Sequence, residues 1–139
     1  MGTKTAALLF VLCSIHSASI LAAEPKWSEI SGEREITITV NQEDGTTREL
    51  IIWFAVVGGE GYIRTRNTSW RAEIERDPSV LLRIGGDDHP IRVKAVAKGA
   101  LYDQVNAAFT EKYGILSDVF LAAMRPFLGA WNVYRVGSR

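Results

Sequence analysis

Between Gly61 and Ile84 the chain reads GYIRTRNTSWRAEIERDPSVLLRI, with arginines at 64, 66, 71, 76 and 83. Arg64 and Arg66 flank Thr65, and Thr68 and Ser69 lie just before Arg71. Guanidinium groups present paired donors that match phosphate or carboxylate oxygens. A helix starting near Ser69 would add backbone N–H donors and the positive end of its dipole. Hydroxyls and guanidiniums at a strand end, just ahead of a helix, form a candidate anion cradle. The plainer reading of the same residues is an exposed strand end with solvated charges.

Other chemistries find less material. Cys13 is the only cysteine and lies in an apolar leader, so a mature chain has no disulfide, thiolate metal site or cysteine nucleophile. His89 sits in a Gly-Asp-rich turn with no second histidine nearby, which gives no zinc or haem ligand set. Asp87 and Asp88 fit that turn better than a calcium site. No serine has a recognisable histidine and carboxylate partner for a triad. Asp103, Glu111 and Asp118 read as helix caps and solvated faces. Lys plus Arg equal Asp plus Glu at 16 each, so no global field attracts nucleic acid and local arginine clusters matter more.

The elements around the cradle follow from periodicity. Ala6 to Ile15 is almost wholly apolar, and Leu21-Ala22-Ala23 meets Glu24-Pro25. This predicts a signal peptide over 1–23, cleaved after Ala23, and one exported domain over 24–139 with no membrane attachment once cleaved. Arg34–Asn41 alternates apolar and polar residues, as a half-buried strand does. Asp44-Gly45 makes a turn. Leu50 to Val57 is continuously apolar, which predicts a strand in Glu49–Val57 covered on both faces and central in the sheet, with Trp53 in the core. Gly58-Gly59-Glu60-Gly61 closes a hairpin into Tyr62–Arg66, where Ile63 and Thr65 share one face and Tyr62, Arg64 and Arg66 the other. Asn67, Thr68 or Ser69 caps a helix over Ser69–Arg76 with Trp70 and Ile74 inward, and Asp77-Pro78 stops it. Asn67-Thr68-Ser69 is also a formal glycosylation sequon. Val80–Ile84 and Ile91–Lys98 are further strands, and Arg92 and Lys94 either extend a basic groove or form a solvated face. Tyr102, Val105, Phe109 and Tyr113 recur at helical spacing before Gly114. Ser117 opens a short helix to Arg125, and Trp131–Val136 returns as a sixth strand. Consecutive strands joined by tight turns imply an antiparallel meander or barrel with helices packed on one end.

YIRTRNTSWRAEIERDPSVLLRI followed by PIRVKAVAKGALYDQVNAAFTEKYG resembles the FMN-binding split-barrel superfamily, the pyridoxamine 5′-phosphate oxidase-like group. The likeness spans about residues 34 to 114. It is nearest an uncharacterised bacterial branch, and is also similar to the deazaflavin-dependent nitroreductase and quinone reductase branch. The resemblance implies a mainly β fold, a small antiparallel split β-barrel of about six strands with short helices. It implies FMN or a deazaflavin as cofactor, no metal, and a homodimer with the cofactor between subunits. Arg64, Thr65 and Arg66 would lie beside the flavin ring and ribityl chain, and Ser69 and Arg71 would hold the phosphate. Members often carry a basic residue where Trp70 stands. Its absence removes one charge-assisted contact, roughly 1.5–3 kcal/mol, which Arg66 is placed to replace. The substrate motif of the true oxidases is not recognisable near the C-terminus. Trp53, Trp70 and Trp131 could stack on a flavin ring or serve as core or interface residues. Two functions follow as expectations: a flavin- or deazaflavin-binding protein transferring hydride or electrons to a small electrophile, or an exported, cofactor-free module for a small ligand.

Overall fold

A computed structural model describes residues 24–66, 68–114, 119, 123–124, 126 and 129–138. The signal peptide, the glycosylation of Asn67 and most of the helix expected over 117–125 lie outside these residues. Among the described residues the elements run in order: α1 (Trp27–Ile30), β1 (Ile36–Asn41), β2 (Thr47–Ile52), β3 (Phe54–Val57), β4 (Glu60–Thr65), α2 (Ser69–Arg76), β5 (Ser79–Ile84), β6 (Asp87–Val96), α3 (Ala100–Tyr113) and β7 (Asn132–Gly137).

The strands form one antiparallel sheet in the order β2-β1-β5-β6-β7-β4-β3. Its two end strands, β2 and β3, are consecutive in the chain and separated only by Trp53. The sheet therefore curls until its edges are joined covalently at that residue, a split barrel. Hairpins connect β1 to β2, β3 to β4 and β5 to β6, as the turn residues require. A simple meander is not formed, because β1 pairs with β5, and β7 inserts between β6 and β4.

The apolar run that was expected to be one central strand is instead two edge strands, and the pleat explains its composition. Leu50, Ile52, Phe54 and Val56 face the barrel interior. Ala55 and Val57 face outward beneath α3. Ile51 and Trp53 share that outward face beyond the helix and stay 70% and 41% exposed. Trp53 is thus a surface residue, not a core one. Its neighbours on the outer face lie beneath α3, whereas Trp53 meets the last residue of that helix, Tyr113, and keeps its other side open.

The barrel interior is filled by Ile36, Ile38, Val40, Phe54, Ile63, Leu82, Ile91 and Val136, with α2 laying Ile74 and Trp70 on it. Trp70 and Ile74 are one turn apart, so they share that face. α2 is fastened to β1 and β2. Arg48 pairs with Glu73 at 2.9 Å, Arg76 donates to the Asn41 carbonyl at 2.6 Å, and Asn41 donates to Asp77 at 3.0 Å. α3 buries Val105 and Phe109 against Ala55, Tyr62 and Val133 on the outer face, and Gly114 ends it with a positive φ of 95°. No helix among the described residues is long and apolar enough to cross a membrane.

Candidate functional site

β4 alternates as its sequence requires. Ile63 points into the barrel, while Tyr62 and Arg64 point outward toward α3. Arg64 is only 8% exposed. Its guanidinium lies 4.4 Å from the Phe109 ring centroid and 4.1 Å from that of Trp131. Its Nη1 donates to Asn106 Oδ1 at 3.0 Å, and Asn106 is itself held by donation to the Tyr102 carbonyl at 3.0 Å. A charge this buried requires such partners. Arg66, two residues on, places its guanidinium 3.9 Å from the same Trp131 ring and donates to the Gly129 carbonyl. Trp131 is fixed in turn, because the Tyr102 hydroxyl donates to its carbonyl at 2.8 Å.

Both arginines therefore converge on one indole at the end of β4. There they line an open cleft of about 400 Å³ together with Thr65, Thr68, Trp70, Phe109, Ile51, Ile52, Trp53 and Trp131. Its walls are aromatic and aliphatic, and its polar groups are two guanidiniums and two hydroxyls. The Thr65 and Thr68 hydroxyls lie 3.0 Å apart, so neither needs another partner to stay within the cleft. Thr68 caps α2 by position, with an extended backbone, but makes no side-chain capping hydrogen bond.

Four of the six residues singled out in the sequence, Arg64, Thr65, Arg66 and Trp70, thus line one cleft. Ser69 and Arg71 do not. The Ser69 hydroxyl accepts from both Arg48 Nη atoms at 3.2 Å. Arg71 donates through Nε to Glu75 at 2.9 Å, and the Tyr134 hydroxyl donates to the same carboxylate oxygen at 2.8 Å. The Tyr134 hydrogen bond, with that of Arg71, holds the Glu75 carboxyl below its ordinary value. Burial, reinforced by Glu75, pushes the Tyr134 phenol up to about 12.

Sequence reasoning missed Arg48, which holds Ser69 from β2, and Asn106, which fixes Arg64 from α3. Neither carries a local signal, since each becomes relevant only through pairing across many residues. Ile51 and Trp53 were legible as apolar, but their place on the rim depends on where the sheet curls. Arg92 and Lys94 do not extend this cleft and line a separate groove on β6. His89 lies on β6 opposite Leu82 and is not part of the cleft lining. Among the described residues, no three histidine, cysteine or carboxylate side chains cluster as a metal site would need.

Several solved structures share this fold. An F420-H2 dependent reductase, FDR-A, superposes with a TM-score of 0.60 at 13% identity, covering 75% of this chain and 94% of its own. The heme storage protein HutZ of Vibrio cholerae gives 0.62 at 15% identity, over 83% and 89%. A putative pyridoxamine 5′-phosphate oxidase of Listeria innocua gives 0.57 at 13% identity, over 78% and 86%. These likenesses show that the chain has the split-barrel fold. No curated protein matches the chain in sequence. Residues 26–126 match a family described as uncharacterized proteins conserved in bacteria, and the chain belongs to that family, DUF2255.

Proposed function

We propose that the cleft at the end of β4 binds a flavin, FMN, or a deazaflavin, and that the complex transfers hydride or electrons to a small electrophile. The observation that carries this reading is the convergence of Arg64 and Arg66 on Trp131 inside an aromatic cleft. The residues suit such a group. A volume of about 400 Å³ lies within the range of ligand pockets, roughly 300–1,000 Å³. Trp53, Trp70 and Trp131 offer flat apolar surface, and the guanidiniums offer donors to carbonyl or phosphate oxygens.

When bound, the cofactor supplies the redox chemistry, and the protein supplies binding, orientation and charge. Arg64, locked by Asn106, keeps a fixed positive charge at the base of the cleft. Arg66, at the mouth, is placed to meet an anionic group. The Thr65 and Thr68 hydroxyls, whose protons go to the Arg66 carbonyl and to each other, would offer the ligand acceptor oxygens. The exposed apolar rim at Ile51 and Trp53 supports closure of the cleft by a second copy of the chain, which would exclude water. We further propose that the N-terminal apolar segment directs export.

The engagement of Ser69 by Arg48 and of Arg71 by Glu75 favours a second reading, a cofactor-free module for a small ligand, because the expected phosphate contacts already have partners. Titrating FMN, a deazaflavin and haem separately into the purified protein, followed by absorption difference spectra, tests the proposal. Saturable binding of a flavin or deazaflavin with a Kd below about 1 mM is the expected result. Saturable binding of haem alone, or of none of the three, would overturn it.

A further inference from the structure

On the outer face of β6 and β7 the paired residues change character along the strands. Val96 pairs with Val133, and Val133 is buried among α3 residues. The next outward pair is Lys94 opposite Arg135, and the one after is Arg92 opposite Gly137. Like charges directly opposed across a ladder repel. Lys94 and Arg135 are nevertheless juxtaposed, with Arg92 two residues away on the same face.

The acids nearby are already engaged. Glu60 pairs with Arg135 at 3.1 Å and accepts from the Tyr62 hydroxyl. Glu24 accepts from the Trp27 indole and the Ser138 backbone N–H. Arg92 and Lys94 form no ion pair among the described residues. The three cations surround a groove of about 520 Å³ whose lining also includes Pro78, Ala95 and Ser138. At Gly137 the groove is bordered by the Arg135 guanidinium and the Glu24 carboxylate, 3.6 and 3.7 Å from where a Cβ would stand. The formal charge of the whole chain is zero, so this local excess is not part of a general basic surface.

We propose that this groove is a second anion site, in which Arg92, Lys94 and Arg135 bind a small phosphate-bearing anion. A groove lined by three cations suits a compact, multiply charged ligand. Guanidinium forks take paired oxygens and the lysine supplies a point charge. The groove shares no residue with the cleft at the end of β4, so its ligand need not be the cofactor.

Inorganic pyrophosphate is the probe. Titration calorimetry on the wild type, on the double variant Arg92→Gln/Lys94→Gln and on Arg83→Gln, which removes one exposed charge outside both clefts, locates the site, with thermal unfolding confirming that each folds. At about 0.1 M salt the wild type should bind with a Kd below about 1 mM, and the double variant should bind at least about tenfold more weakly. Arg83→Gln should bind pyrophosphate as the wild type does. No saturable binding by the wild type, an unchanged constant in the double variant, or an equal loss in Arg83→Gln would each overturn the proposal. So would sodium chloride at matched ionic strength giving the same heat.

Discussion

Trp53 and Tyr113 stack face to face, with ring centroids 4.2 Å apart and planes 4° from parallel. The Tyr113 hydroxyl accepts from the Phe54 N–H at 3.2 Å, and its own proton faces the carbonyls of Arg34 at 2.7 Å and Phe54 at 3.1 Å. The last residue of α3 thus grips the one point where the two edges of the sheet are joined. Tyr113→Phe keeps the stack and removes the hydroxyl, leaving the Phe54 N–H without this acceptor. It should cost about 1–3 kcal/mol in urea unfolding. Stability equal to the wild type would place the support of this junction elsewhere.

Gly61 on β4 is required for another reason. A Cβ at this position would lie 2.5 Å from the indole of Trp27, which is buried on the barrel core. Gly61→Ala should destabilise the fold by about 1–3 kcal/mol through overpacking. Adding Trp27→Leu should recover part of the Gly61→Ala cost, a non-additivity that a double-mutant cycle reads directly. Strictly additive losses would refute the contact.

Lys112 predicts a pH dependence. Its Nζ is buried, lies 3.6 Å from the Phe54 ring centroid and has no hydrogen-bond partner among the described residues. Burial, aided by the nearby Arg34 charge, lowers its pKa from 10.5 to about 8. Below about pH 8 both folded and unfolded chains hold the proton, and the cost of burying the ammonium is fully present. Between about 8 and 10.5 the unfolded chain binds more protons, so this group makes stability rise with pH. Partial exposure screens the effect to about 1 kcal/mol. The raised tyrosines 62, 113 and 134 act in the opposite direction at higher pH. The test is therefore the difference between wild type and Lys112→Met, followed by urea unfolding from about pH 7.5 to about 9.5. That difference should narrow as pH rises, and a constant difference would contradict the assignment.

Arg71 is committed to Glu75, which raises the affinity of its guanidinium for the proton still further. Releasing it for a ligand phosphate means breaking that pair. Arg71→Ala should weaken FMN binding by only a few-fold, well short of the effect at Arg66, because Arg66 lines the cleft and Arg71 does not. Fluorescence titration of the two variants side by side decides the order. A larger loss from Arg71→Ala would move the phosphate to the α2 side of the cleft.

Much of this architecture could be read from residue patterns. The 3.6-residue spacing of Tyr102, Val105, Phe109 and Tyr113 gave α3, and Asp77-Pro78 fixed the end of α2. The alternation in Tyr62–Arg66 put Ile63 and Arg64 on opposite faces, as found. Pairing across the sheet was less visible. β7 enters between β6 and β4, and nothing within Trp131–Val136 names its neighbours. Leu50–Val57 misled because continuous apolarity has two causes here, α3 over Ala55 and Val57 and a cleft beside Ile51 and Trp53. Within the candidate site, neighbours in sequence such as Arg64, Thr65 and Arg66 line one cleft. Ser69 and Arg71 instead face partners, Arg48 and Glu75, that their own segment does not reveal as theirs.

The most direct test is a titration of FMN, followed by quenching of its fluorescence, into residues 24–139 of the wild type and of Arg66→Gln. Saturable wild-type binding is expected with a Kd below about 1 mM, and at least about tenfold weaker binding once the Arg66 guanidinium is removed, with little change in thermal stability. Absence of saturable binding to the wild type, for FMN and a deazaflavin alike, or identical constants for the two proteins, would contradict the assignment of this cleft.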